Sequence, residues 1–165
     1  MAHEKLYRPT CLLSFLWLID PDDQSDPDLT VKGGDMTNGK STPTIMIVED
    51  YDDTRLLLKQ GLELLGYSVL EATNGQQAVE IADREHPDLI LMDLDLPILD
   101  GIAATQMIRQ SAEIGNVPIV AVTAYPLSYS HVKAFAKGCN EYMSKPIDMS
   151  ELERLVNRFV GSANA

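Results

Sequence analysis

Residues 89–93 have the sequence Leu89-Ile90-Leu91-Met92-Asp93, a continuous apolar run that ends at a carboxylate. Such a run is typical of a strand in a parallel sheet, because helices cover both faces of that sheet. Three further short runs precede polar side chains in the same way. They are residues 45–48 before Glu49 and Asp50, residues 119–122 before Thr123, and residues 142–144 before Lys145. If all four runs are parallel strands, these polar side chains emerge at one edge of a sheet, where open α/β folds bind ligands.

Amphipathic stretches of helical period alternate with the apolar runs from residue 44 onward. Asn74 and Asp148 are predicted helix N-caps, because Gln77 and Glu151 follow them at the capping-box spacing, and Gly66 is predicted to end the first helix. The predicted strands cover residues 44–48, 68–72, 89–92, 117–122 and 141–144, and the predicted helices cover about 52–65, 74–85, 101–111, 128–137 and a last stretch after Asp148. This alternation predicts an α/β fold with a doubly wound, five-stranded parallel sheet.

The predicted strand order is the flavodoxin-like 2-1-3-4-5, in which strands one and three are neighbours at the switch point. Glu49, Asp50 and Asp93 would then surround one crevice, with Thr123 and Lys145 close by. Three carboxylates favour a hard cation such as Mg²⁺, with Mn²⁺ as an alternative, and the hydroxyl and ammonium groups suit a phosphoryl group. Taken alone, Glu49 and Asp50 would also fit an acidic turn that binds no ligand.

Composition excludes several classes of protein. Hydrophobic residues make up 45% of the chain, which is enough for a packed core and argues against a wholly disordered protein. The formal net charge of −12 disfavours direct binding to nucleic acid, whose backbone repels an acidic surface. Cys11 and Cys139 show no metal-ligand spacing, so we expect two free thiols in a reducing, cytoplasmic environment.

Residues 1–43 differ from the rest and are predicted to be an extension, mostly a linker rich in Asp, Gly, Thr and Pro from residue 20 onward. The apolar stretch 11–19 is about half of the roughly 20 residues that a membrane span needs. Three interpretations of this stretch remain open. It is a hydrophobic anchor for a partner, or a strand or helix docked on the domain. Alternatively, the assigned start of the protein is wrong, since Met36 shortly precedes the first strand. The domain is predicted to cover residues 44–160, followed by a tail over 161–165.

Four motifs together resemble the receiver domain of response regulators in two-component signal transduction, over about residues 44–160. They are Ile47-Val48-Glu49-Asp50, Met92-Asp93-Leu94-Asp95-Leu96-Pro97-Ile98-Leu99-Asp100-Gly101, Val122-Thr123-Ala124 and Ser144-Lys145-Pro146. The resemblance implies a flavodoxin-like receiver fold that is closest to single-domain chemotaxis regulators.

The resemblance also implies roles for individual residues. Asp93 would be the phosphoacceptor, and it would hold Mg²⁺ together with Glu49, Asp50 and the backbone carbonyl of Asp95.

Thr123 and Lys145 would bind the phosphoryl group, and Tyr142 would be the aromatic switch residue coupled to Thr123. Glu49 stands where the family more often has Asp. Asp95 and Tyr125 occupy variable positions that tune the phosphoryl lifetime in this family, in a direction that the sequence does not give.

The function implied is that of a stand-alone response regulator, which catalyses only its own phosphorylation and dephosphorylation. A histidine kinase or histidine phosphotransfer protein would phosphorylate Asp93, and a downstream effector would bind the face formed by the fourth helix, fifth strand and fifth helix. A phosphorelay intermediate is the alternative within this class. Asp93-Leu94-Asp95 also resembles the nucleophile motif of haloacid-dehalogenase-type phosphatases, and a receiver fold that is never phosphorylated is a further, less favoured interpretation.

Overall fold

The computed structural model describes residues 42–124 and 137–161. Its elements, in chain order, are β1 Thr44–Val48, α1 Asp52–Leu64, β2 Ser68–Ala72, α2 Gly75–Glu85, β3 Leu89–Asp93, α3 Gly101–Gln110, β4 Ile119–Thr123, β5 Glu141–Ser144 and α4 Met149–Val160. The label α4 denotes the fourth described helix. The additional helix predicted over 128–137 falls almost wholly outside the described residues, as do Tyr125 and nearly all of the predicted extension and tail.

The five strands form one parallel sheet in the order β2-β1-β3-β4-β5, which confirms the predicted fold class and strand order. Val48 is paired with Met92, and Asp93 with Val122. Thr123, the last residue of β4, is paired with Ser144 of β5. The register therefore brings the ends of β1, β3, β4 and β5 to one edge of the sheet.

Buried side chains cover both faces of the sheet, which explains the continuous apolar strands. Ile90 and Met92 of β3 pack with residues of α2 and α3, including Ala82 and Ile108. The alternate residues of the same strand pack on the other face, against α1 and α4. This second cluster includes Leu89, Leu91, Leu58, Leu62, Leu152 and Val156.

The ends of the helices follow the local signals in the sequence. The side chain of Asn74 accepts a hydrogen bond from the Gln77 amide at 2.9 Å, as predicted for an N-cap. Gly66 has φ 91°, and its N–H donates to the Glu63 carbonyl at 3.0 Å. The next amide, that of Tyr67, donates to the carbonyl of Leu62 at 3.1 Å, so α1 ends in a Schellman motif.

Strand four starts later than predicted, at Ile119 instead of residue 117. The carbonyl of Pro118 accepts a hydrogen bond from the Ile90 amide at 2.9 Å, but Pro118 has no N–H to donate in return, so regular strand pairing begins after it. Strands β3 and β4 instead extend one residue further than predicted and include Asp93 and Thr123. None of the described helices is long and apolar enough to cross a membrane.

Arg109 joins α3 to the segments before β4 and before β5, at the edge of the sheet opposite the predicted site. Its guanidinium donates to the main-chain carbonyls of Gly115, Val117 and Gly138 at 3.0, 2.7 and 2.8 Å. It also donates to the side-chain oxygen of Asn140 at 2.8 Å. Burial lowers the pKa of Arg109, so this guanidinium stabilises main-chain acceptors at some desolvation cost.

Replacing Arg109 with Ala should lower the free energy of unfolding by about 3 kcal/mol, because three carbonyl groups lose their donor. Urea denaturation of the variant and the wild type measures this difference. The matched control is Arg84→Ala in α2, where the side chain is 66% exposed and pairs with the adjacent Glu85. That change should stay within about 0.5 kcal/mol; equal losses in the two variants would contradict the role given to Arg109.

Candidate functional site

The sheet gathers the predicted polar residues at its carboxyl edge. Glu49 and Asp50 follow β1, while Asp93 and Thr123 are the last residues of β3 and β4. Glu49, Asp93 and Thr123 are buried. Burial is unusual for the two carboxylates, Glu49 and Asp93, and requires a partner for their charge. Lys145 follows β5 and is the partner.

The ammonium group of Lys145 links two of the carboxylates. It lies 2.5 Å from Oδ2 of Asp93 and 2.7 Å from Oε2 of Glu49. Burial lowers the pKa of Lys145, but the hydrogen bonds and charges of the two carboxylates outweigh it, and the net pKa lies above its usual value. Burial raises the pKa of Glu49 despite the opposing effect of Lys145. Lys145 is therefore held as a cation between Asp93 and Glu49.

The Asp93 carboxylate is also oriented by the main chain. Its Oδ1 accepts a hydrogen bond from the Asp95 amide at 2.9 Å, while Oδ2 faces Lys145. The Asp95 side chain is exposed, and its pKa is raised by partial burial and by the negative charge of Asp93. Both Asp93 oxygens thus have a donor, and the carboxylate is fixed in one orientation.

The carboxylates fit a divalent cation. Glu49, Asp50 and Asp93 each offer one oxygen, and these oxygens all lie within 4.8 Å of one another. The buried Oδ1 of Asp50 has no hydrogen-bond partner among the described residues. A buried carboxylate oxygen without a donor is costly, and a hard cation such as Mg²⁺ would satisfy it. The geometry therefore brings together the three predicted carboxylate ligands, while the role of the Asp95 carbonyl as a ligand stays a prediction.

Arg55, which the sequence analysis did not single out, fixes the turn that carries the acidic pair. Its Nη1 donates to the main-chain carbonyl of Glu49 at 3.0 Å, and its Nη2 donates to Asp52 at 2.5 Å. Its Nε lies 3.4 Å from Glu71 of β2. In the sequence, the only signal that could have identified Arg55 is its position as a basic residue one turn into the helix that follows the acidic pair.

Thr123 and Tyr142 lie in the neighbouring strands β4 and β5, two register positions apart. The main-chain carbonyl of Thr123 accepts a hydrogen bond from the Lys145 amide at 2.9 Å, and its side chain is fully buried. Tyr142 is 8% exposed and packs in the core with Ala121, its paired residue in β4. Burial raises the pKa of Tyr142. The switch role of the pair stays a prediction.

The loop between β3 and α3 contains a strained turn. Ile98 has φ 69°, and the Leu99 amide donates to the Pro97 carbonyl at 2.7 Å. A hydrogen bond that spans one residue of positive φ defines a classic γ-turn, which is rare and strained, especially at a β-branched residue. Ile98 is also 85% exposed, so apolar burial does not offset the strain.

A buried carboxylate beside a lysine and two further acids, at the carboxyl edge of a 2-1-3-4-5 sheet, defines a class of signalling phosphoacceptor domains. Residues 45–157 match the family model of the response regulator receiver domain, and the chain belongs to this family. The family match decides against the phosphatase alternative. It confirms the family, the fold and the two-component class predicted from the sequence.

Similar proteins include the polar-differentiation response regulator DivK of Brucella ovis. It is 33% identical over 122 residues, which cover 74% of this chain and 99% of that protein. A solved receiver domain of a Pseudomonas aeruginosa sensor histidine kinase is 38% identical with a TM-score of 0.69, and it has a magnesium ion coordinated in its active-site cleft. The match covers 74% of this chain and 100% of that domain.

A third relative was solved in a complex. The receiver domain of the Saccharomyces cerevisiae response regulator Ssk1, crystallised with the histidine phosphotransfer protein Ypd1, is 32% identical with a TM-score of 0.64. The match covers 72% of this chain and 88% of that chain. Receiver domains thus bind magnesium at an acidic site and interact with phosphotransfer proteins.

Replacing Ile98 with Gly should raise the free energy of unfolding by about 1 kcal/mol, because relief of the strain exceeds the entropy that glycine adds to the unfolded chain. The control is Leu64→Gly at the last residue of α1, where Leu64 is 87% exposed but has helical backbone. That change should lower the free energy of unfolding by up to about 1 kcal/mol. Urea denaturation tests both signs, and destabilisation by Ile98→Gly would show that the turn carries no strain.

Proposed function

We propose that the chain is a response regulator whose Asp93 carboxylate accepts a phosphoryl group from a phosphohistidine of a histidine kinase or histidine phosphotransfer protein. The observation that carries this proposal is the environment of Asp93. Its two oxygens are fixed by the Asp95 amide at 2.9 Å and by Lys145 at 2.5 Å. Beside them lie Glu49 and the Asp50 oxygen that finds no hydrogen-bond partner in the part of the chain that the structure describes. The Asp93 carboxylate is therefore an oriented nucleophile in a site that carries excess negative charge.

In the proposed reaction an Asp93 oxygen attacks the phosphorus of the donor. The new O–P bond forms as the P–N bond breaks, and the electron pair of that bond stays on the imidazole nitrogen. Glu49, Asp50, Asp93 and the backbone carbonyl of Asp95 would hold Mg²⁺, with Mn²⁺ as an alternative. When bound, this cation supplies positive charge that offsets the charge of the transferring group. Lys145 keeps the Asp93 oxygen oriented during the attack.

After transfer, Lys145 and the hydroxyl of Thr123 would bind the phosphoryl oxygens. The new charge would bias a pre-existing equilibrium between two conformations, in which Thr123 and Tyr142 move together. Tyr142 lines a cleft of about 390 Å³ between β5 and α4, together with Glu141, Glu151, Arg154, Leu155 and Arg158. We propose this cleft as part of the face that a downstream effector reads.

The exposed side of α1 supports docking of the phosphodonor. Leu56, Leu57 and Leu64 are 52%, 60% and 87% exposed, and Tyr51 at the N-terminus of α1 is 70% exposed. We call these four side chains the α1 apolar surface. Exposed apolar patches mark sites of protein interaction, and α1 begins directly after the acidic turn. A helical donor that docks on this surface would bring its phosphohistidine towards Asp93.

We propose a stand-alone regulator by analogy with the DivK relative. A receiver domain accounts for nearly all of the DivK relative, of which 99% is covered. We therefore propose that the output passes through another protein instead of a DNA-binding domain, in keeping with the net charge of −12. We also propose a cytoplasmic location, because export would separate Asp93 from a cytoplasmic phosphodonor.

The first test is intact-mass spectrometry after incubation with acetyl phosphate. The wild type should gain one phosphoryl group when Mg²⁺ is present and none when a chelator removes it, while Asp93→Asn should gain none. Asp88→Asn is the matched control, because Asp88 directly precedes β3 at the opposite edge of the sheet, where its carboxylate accepts a hydrogen bond from the Thr44 amide at 2.7 Å. It should be phosphorylated like the wild type.

A wild-type protein that gains no phosphoryl group would overturn the proposed function and leave an interaction module with a receiver fold. Phosphorylation that persists in Asp93→Asn would place the acceptor on another residue.

The second test concerns the α1 apolar surface. Leu57→Glu should slow phosphotransfer from a phosphorylated histidine phosphotransfer protein by about tenfold or more, since a charge replaces an apolar contact. Its rate of phosphorylation by acetyl phosphate should not change, because this small donor needs no docking surface. Met107→Glu on α3, where the side chain is 43% exposed, is the matched control and should leave both rates unchanged. Equal slowing with both donors would mean that Leu57 acts on the site and not on docking.

A further inference from the structure

The first residue of α2 contacts the loop that carries the site. The amide of Gly75 donates a hydrogen bond to the main-chain carbonyl of Leu99 at 3.0 Å. Leu99 lies in the loop 94–100 between β3 and α3, and its side chain packs against the core beneath α2 and α3. The preceding Asn74 is 6% exposed and caps α2, so the donor is part of a rigid helix end.

This contact leaves no room for a side chain at position 75. A Cβ on Gly75 would lie 2.3 Å from the carbonyl oxygen of Leu99 and 3.0 Å from the Cβ of Ala104. The obstacle at 2.3 Å is main chain, which cannot rotate away as a flexible side chain can. The backbone of Gly75 is helical, so the close approach, and not an unusual φ, explains why glycine stands here.

The loop that Gly75 holds also orients the phosphoacceptor. The amide of Asp95, the second residue of the loop, donates a hydrogen bond to Oδ1 of Asp93. The amide of Gly101, which directly follows the loop, donates to the carbonyl of Leu94, the first residue of the loop, at 3.2 Å. Between these points lies the strained turn at Ile98. A strained segment persists only where its surroundings determine it, and the bond from Gly75 to Leu99 is next to the strain.

We propose that Gly75 is a positioning residue for the phosphoacceptor site. Through Leu99 it holds the loop 94–100 in the conformation in which the Asp95 amide orients Asp93. This inference rests on the proposed function, in which Asp93 is the acceptor and the Asp95 carbonyl is a metal ligand. It assigns part of that site's geometry to α2, a helix that contributes none of the three carboxylates of the site.

The test compares Gly75→Ala with Gly115→Ala. Gly115 lies in the turn between α3 and β4, at the opposite edge of the sheet, and its Cβ would lie 2.4 Å from the main-chain carbonyl of Ser111. The two variants therefore introduce the same kind of collision, one beside the site and one remote from it. Thermal unfolding measures the stability that each substitution removes.

Two readouts separate positioning from general destabilisation. In metal-free protein, Gly75→Ala should shift the amide resonance of Asp95 in the ¹H–¹⁵N spectrum and speed its exchange with solvent, because the bond to Asp93 is disturbed. Calorimetric titration with Mg²⁺ should show affinity weakened about tenfold or more, as for residues that orient metal ligands. Gly115→Ala should leave both the Asp95 resonance and the Mg²⁺ affinity at the wild-type value.

A second variant covers the case in which Gly75→Ala does not fold. Leu99→Ala keeps the carbonyl acceptor and adds no collision, but it removes the apolar anchor of the loop. It should shift the Asp95 resonance and weaken Mg²⁺ binding in the same direction.

If the Asp95 resonance and the Mg²⁺ affinity are unchanged in Gly75→Ala, or in Leu99→Ala where only that variant folds, the positioning role is wrong. The proposed function fails separately, when the wild type takes no phosphoryl group from acetyl phosphate.

Discussion

The bridge from Lys145 to Asp93 and Glu49 is the interaction on which the site depends. Two buried carboxylates in one crevice repel each other, and burial penalises each charge. The ammonium group at 2.5 and 2.7 Å offsets one charge. With Asp50 included, three ionised carboxylates and one ammonium leave two negative charges, which a divalent cation would balance. The same lysine is placed to bind a phosphoryl group once Asp93 carries one.

The sheet brings these charged groups, which come from distant parts of the chain, to one place. Parallel strands in the order β2-β1-β3-β4-β5 end at one edge, and the paired registers of Asp93 and Thr123 set the spacing of the side chains. Loops then refine the orientation. Arg55 fixes the turn after β1, and Gly75 contacts the loop after β3. The rigid elements thus set distances, while the loops set the direction of each donor and acceptor.

Local signals predicted most of the fold. The continuous apolar run of β3 indicated a strand buried on both faces, and Asn74 and Gly66 mark the helix ends that their chemistry predicts. The predicted start of β4 was wrong by two residues, because residue 117 is followed by Pro118, whose carbonyl accepts from Ile90 but which has no N–H to donate to the ladder. The spacing of acidic and basic residues predicted which side chains meet. The contacts of Arg55, Arg109 and Gly75 with main-chain carbonyls were not predicted, because a main-chain carbonyl carries no sequence signal.

The sequence by itself determined the order of strands and helices and the chemical types that each strand delivers to the edge of the sheet. Hydrophobic period and capping chemistry act over a few residues, so they can be recognised in the chain. Only the tertiary structure decided that Lys145 bridges Glu49 and Asp93, that Oδ1 of Asp50 has no donor within residues 42–124 and 137–161, and that Ile98 adopts a strained turn. These features depend on distances between segments far apart in the chain, which packing of the core sets and no local pattern encodes.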